Sequence, residues 1–138
     1  MAGYTREQIN RWNAKLSNGF QLDLHYLMIW NEKRAVRNIK LPDGRTLQAS
    51  ISWVEIRDGF RYSGLVQPEM HLSVWTPTSN GLMSSSGMGA TVKLTEETFT
   101  RKVWNELARF TAAWSDEQII AEAKKHDKAL NNPFVLGA

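Results

Sequence analysis

His71 and Ser73 stand two residues apart in the stretch Glu69-Met70-His71-Leu72-Ser73-Val74-Trp75. On a strand, alternate side chains share a face, so the imidazole and the hydroxyl would lie about 6.5 to 7 Å apart along it. That spacing suits gripping two oxygens of one phosphate, with the histidine able to carry a proton near neutral pH. A Ser/Gly-rich stretch follows, in which Ser84, Ser85, Ser86 and Gly87 offer hydroxyls and unhindered backbone N–H groups of the kind that cradle an anion. No Gly-Lys-Ser/Thr follows it, and Gly87-Met88-Gly89 leads toward a strand pattern rather than a helix, so it is neither a P-loop nor a dinucleotide fingerprint. Cations are the next resource. Residues 31–45 hold Lys33, Arg34, Arg37, Lys40 and Arg45 against Glu32 and Asp43, and so carry the whole net charge of +3. Trp30, beside that basic segment, and Trp75, on the strand face of His71 and Ser73, could stack on a base, a contact worth about 1–3 kcal/mol.

His71-Leu72-Ser73-Val74 resembles one half of the paired H-x-[ST] signature of the two-histidine phosphoesterase family, in which one histidine acts as base and the other as acid. The resemblance implies a small phosphodiesterase with His71 and Ser73 as its catalytic residues. The second copy is missing, because His25-Tyr26-Leu27 has no hydroxyl residue at the corresponding position. The plainer expectation for His71 is a half-exposed strand residue bonded to a neighbour across the sheet. Asp23, His25 and His71 would make a metal site only with their two strands adjacent and in register, so no metal and no cofactor is expected. The chain has no cysteine, which excludes disulfides, thiolate zinc sites and a cysteine nucleophile.

These residues need elements to position them. Composition, 42% hydrophobic and 22% charged over 138 residues, is that of one globular domain spanning 1–138. A helix is expected over 5–16, from a Thr5/Gln8 capping box and apolar Ile9, Trp12 and Leu16. Residues 20–30 alternate as one long strand, and Pro42-Asp43-Gly44 reads as the turn of a hairpin whose second arm points Leu47, Ala49, Ile51 and Trp53 to one side. The stretch Arg57 to Pro68 has no period and two glycines and reads as a long loop, as does the Ser/Gly stretch. Helical spacing returns with Phe99, Val103, Leu107, Phe110 and Trp114, and a second helix follows Ser115. The fold class expected is α+β: a mainly antiparallel sheet of about five strands over 20–94, with one N-terminal helix and two C-terminal helices (95–130) packed on it and a loose tail, 131–138.

The leading functional expectation is a non-catalytic binding protein for an anionic ligand, a nucleotide or nucleic acid. It would use Arg34, Arg37, Lys40 and Arg45, stacking by Trp30 or Trp75, and the Ser84–Gly87 loop. Alternatives are a protein-interaction or inhibitor module using the Met-containing loop and the Arg57–Pro68 segment, or the phosphodiesterase. Size and organisation loosely resemble small proteins of bacteriophages and mobile elements that block host factors or sequester nucleotides. No apolar run approaches the roughly 18 residues of a membrane span and the first residues lack a signal core, so a cytoplasmic protein without a membrane partner is expected. The apolar tail and a long edge strand are compatible with a homo-oligomer.

Overall fold

Thr5 opens helix α1 (Arg6–Asn13) through a complete capping box, its hydroxyl accepting from the Gln8 N–H while the Gln8 amide oxygen accepts from the Thr5 N–H. The computed structural model describes residues 4–42, 44–75, 80–87, 92–93 and 99–126. The Asp43 turn position, Met88 and the 131–138 tail lie outside them. Beyond α1, tight bonds from Lys15 N–H to Trp12 O and Leu16 N–H to Asn13 O carry the turn on, and Asn18 and Gly19, both at positive φ, reverse the chain. Thr111 fastens this reversal, accepting from the Ser17 N–H with its hydroxyl and from the Asn18 side-chain amide with its carbonyl.

The long strand expected over residues 20–30 does not form. Only β1 (Gln21–Leu22) is extended; Asp23 then caps helix α2 (Leu24–Trp30), its carboxylate accepting from the Tyr26 N–H, and Asn31 ends the helix in the left-handed region. An N-cap aspartate satisfies a donor that would otherwise be orphaned. The apolar alternation that suggests a strand is left unused: Leu27 is buried, whereas Leu24, Ile29 and Trp30 face outward.

Strands β2 (Ala35–Lys40), β3 (Thr46–Asp58), β4 (Arg61–Trp75), β5 (Asn80–Gly87) and β6 (Val92–Lys93) complete an antiparallel sheet in the order β1-β2-β3-β4-β5, with β6 beside β4. Four of these strands are long and two have two residues each. Two expected loops are sheet. The Ser/Gly stretch is largely β5, pairing Ser84 with Leu72, Ser85 with His71 and Ser86 with Met70. The Arg57–Pro68 stretch is the end of a long β3–β4 hairpin, whose period is broken by a bulge between Glu55 and Arg57. Helices α3 (Phe99–Ala113) and α4 (Asp116–His126) follow, so the class is α+β with four helices among the described residues.

Strand alternation gives the sheet two unlike faces. On one, Leu47, Ala49 and Ile51 of β3 and Met70 and Leu72 of β4 join Trp104, Leu107 and Phe110 of α3 and Ile119 and Ala123 of α4 in a single buried cluster. The other face is polar, with rows such as Val36–Ser50–His71–Ser85 and Lys40–Thr46–Trp75 running across the strands. Among the described residues no helix is long and apolar enough to cross a membrane.

Candidate functional site

The period of two that builds β2 also scatters its cations. Arg37 is paired with Ala49, on the core side of the sheet. Its guanidinium makes two hydrogen bonds to Asp116 at the start of α4, Nε to Oδ1 at 3.0 Å and Nη2 to Oδ2 at 2.9 Å. Gly19 lets this happen: a Cβ there would sit 3.0 Å from the Arg37 guanidinium carbon. The hydrogen bonds hold the Asp116 carboxyl below, and the Arg37 guanidinium above, their ordinary values, against a smaller opposing effect of burial. Arg34 lies over the Tyr26 ring at 3.7 Å and bonds Glu32 at 2.8 Å. Arg45 is engaged within the fold as well. Lys40 alternates to the polar face and is exposed.

A carboxylate whose folded value is depressed contributes stability above its unfolded pKa and loses it as pH falls through the folded value. The Arg37 and Asp116 side chains are 31% and 40% exposed, so solvent screening limits the pair to at most about 1 kcal/mol. Asp116→Asn should lower the unfolding free energy obtained from urea denaturation by up to that much at neutral pH and match the native chain in strong acid, where the native carboxyl is also neutral. A difference that persists in acid would mean that the pair is not its origin.

The polar face gathers His71, Ser73, Trp75, Lys40 and the backbone of Ser85, which is opposite His71. His71 Nε2 lies 3.5 Å from Glu69 Oε1, while Glu69 Oε2 accepts from the Gln67 amide at 2.8 Å. The Trp75 indole N–H donates to the Ser73 hydroxyl at 2.7 Å. The two polar groups of the H-x-S stretch therefore already have partners within their own strand. Ser84 to Gly87 run extended against β4, and an extended edge lacks the concave run of N–H groups that makes an anion nest. Asp23 caps a helix, His25 is exposed on that helix, and His71 is on β4. Among the described residues no group of three His, Cys, Asp or Glu side chains could hold a metal ion.

The other end of the sheet is more concave. A cleft of about 300 Å³ opens where the residues after α2 meet the sheet and α3, with Trp30, Glu32, Lys33, Trp53, Glu55 and Val103 in its walls, the Glu32 carboxylate being held by Arg34. That is the lower end of the range of small-ligand pockets, which are mostly apolar with a few directed polar groups. Trp30 is 68% exposed at the rim. Trp53 is half-buried, and its indole N–H is buried without an acceptor among the described residues. An unmet buried donor costs about 1–3 kcal/mol. Lys33 Nζ donates to the Asn31 carbonyl and side-chain oxygens at 3.3 and 3.2 Å, and burial pushes its ammonium below the usual lysine range. Asn31 is fixed in turn by the Tyr4 hydroxyl, which donates to its Oδ1 at 2.9 Å.

A larger depression of about 470 Å³ beside β1 and β2 has Gln21, Asp23, Asn38, Gln48 and the predicted ligand residue Arg37 in its walls; it offers little apolar surface and its cation is already paired with Asp116, so the smaller cleft fits a flat ring better. Among the described residues, Trp30 is thus the one predicted ligand residue that lines the cleft. Lys33, Trp53 and Glu55 join it unanticipated, Trp53 because its place on the apolar side of β3 reads as core. The signal for Lys33 in the sequence is its position three residues after Trp30. Comparisons with protein-family models, curated proteins and solved structures found no match to the chain.

Proposed function

We propose that this chain is a non-catalytic binding protein for an anionic ligand with a flat ring, of the nucleotide class, seated in the Trp30–Lys33–Trp53 cleft. The observation that carries this reading is the make-up of the cleft: the exposed Trp30 ring stands with the partly desolvated Lys33 ammonium and with Glu55 in the same walls. A base stacks on Trp30, a base amino group donates to Glu55, and phosphate meets Lys33. A free nucleotide suits the cleft better than a long strand tracked by its backbone, because Arg34, Arg37 and Lys40 point to different surfaces.

Titration of intrinsic tryptophan fluorescence with a mixed nucleotide pool, at low and high salt, tests this. Quenching should weaken with salt, as for any anion held by a cation. Trp30→Ala should remove most of the quenching and weaken binding about 5- to 150-fold, the equivalent of one lost stacking contact. Affinity should also fall in alkaline solution at a lower pH than an ordinary lysine would set, since the anion binds the protonated Lys33 whose pKa burial has lowered. No quenching by any nucleotide would sink the proposal.

A further inference from the structure

The β3–β4 hairpin runs past the rest of the sheet and ends in a tip at Asp58-Gly59-Phe60-Arg61, where Asp58 pairs with Arg61 and Gly59 takes a φ of +64°. Phe60 is 101% exposed. It contributes no burial to the fold, although two-stranded ribbons need every contact they can make. The arm is braced. At the bulge the Ser63 hydroxyl donates to the Ile56 carbonyl at 2.6 Å and accepts from the Leu65 N–H at 3.1 Å, and Gly64 has a φ of +77°. Bulges of this kind re-aim a strand and its side chains. Arg57 and Arg61 flank the ring and are exposed.

We propose that this arm binds single-stranded nucleic acid, Phe60 stacking on an unpaired base while Arg61 meets a neighbouring phosphate. The inference needs only the arm and goes beyond the nucleotide cleft. A protein partner fits less well: a protein anchor needs a surrounding ring of contacts to exclude water, and a two-residue tip edged by Arg, Asp and Gly covers only a small part of the roughly 1,200 Å² of a stable interface. A base needs one ring and one cation, which the tip supplies. An unpaired base is favoured over a duplex because opening a base step costs more than a single ring returns.

Fluorescence anisotropy of a short labelled oligothymidylate tests the arm. The native chain should bind, more weakly as salt rises. F60A should weaken binding about tenfold or more, F60W should restore it, and F60L should not, since an aliphatic group fills space without stacking. R61Q should reduce the salt dependence. Mononucleotide quenching should be the same in F60A as in the native chain, which separates this outcome from failure of the cleft. No binding by the native chain, equal affinity in F60A, or rescue by F60L would each overturn the proposal.

Discussion

Replacing Trp104 with alanine is expected to lower the stability of the chain by about 3–5 kcal/mol, a large part of the 5–15 kcal/mol typical of a domain. Trp104 is 6% exposed, stacks on Trp12 with ring centroids 4.3 Å apart and 16° between planes, and meets the edge of Tyr4 at 6.2 Å. Stacked and edge-on pairs add to the area they bury. Helix α1 has no fully buried residue of its own, so its attachment depends on half-buried Ile9 and Trp12 and on Leu16 in the turn that follows it, with Lys15 Nζ 4.4 Å above the Trp12 ring. Removing Trp104 leaves a cavity and undocks Trp12 and Tyr4 together. Since the Tyr4 hydroxyl holds Asn31 and Asn31 holds Lys33, the loss should also reach the cleft and weaken nucleotide binding. Urea denaturation followed by far-UV circular dichroism measures the first effect, and a loss below about 1 kcal/mol would show that the stack is not what fastens α1.

Local chemistry that the chain reads within a few residues was legible in advance. The Thr5/Gln8 box, the Leu47, Ala49 and Ile51 alternation and the four-turn stripe of α3 all obey periods set by backbone geometry. What was not legible depends on contacts between distant residues. Leu24 to Trp30 satisfies the strand period and the helix period alike over so short a run, and the choice falls to Asp23 as a cap and to the single buried position at Leu27. Serine and glycine in β5 have poor strand propensity, yet β4 supplies an edge that pairs with them regardless of side chain. The candidate site was legible only at Trp30. The basic segment looks like one patch because it is contiguous in sequence, whereas alternation along β2 and the Asp116 partner on α4 distribute its charges. Phe60 sits in a stretch without a period, and that lack follows from the bulge between Glu55 and Arg57 together with the exposure of the hairpin tip.

Lys33→Glu should abolish nucleotide binding, with affinity falling by at least about 100-fold, while leaving the fold intact. Two unit charges about 4 Å apart interact with roughly 4 kcal/mol at an effective dielectric of 20. Reversal replaces attraction by repulsion, and screening in an open cleft leaves a fraction of that difference, still larger than the loss of one neutral contact. Lys33 makes hydrogen bonds only to Asn31 among the described residues, so its side chain carries little of the fold. Arg37→Glu should do the opposite. It sets a carboxylate against Asp116 and beside Gly19, lowering the thermal midpoint, while its distance from the cleft walls leaves nucleotide affinity close to native. The two variants, each measured by fluorescence titration and by thermal melting, separate a binding cation from a structural one in the same basic segment. If Arg37→Glu lost binding with its fold intact and Lys33→Glu did not, the anion would lie on the α4 side of the sheet, in the shallow depression lined by Asn18, Gly19, Arg37 and Ser115, and the Trp30 cleft would have to be given up as the site.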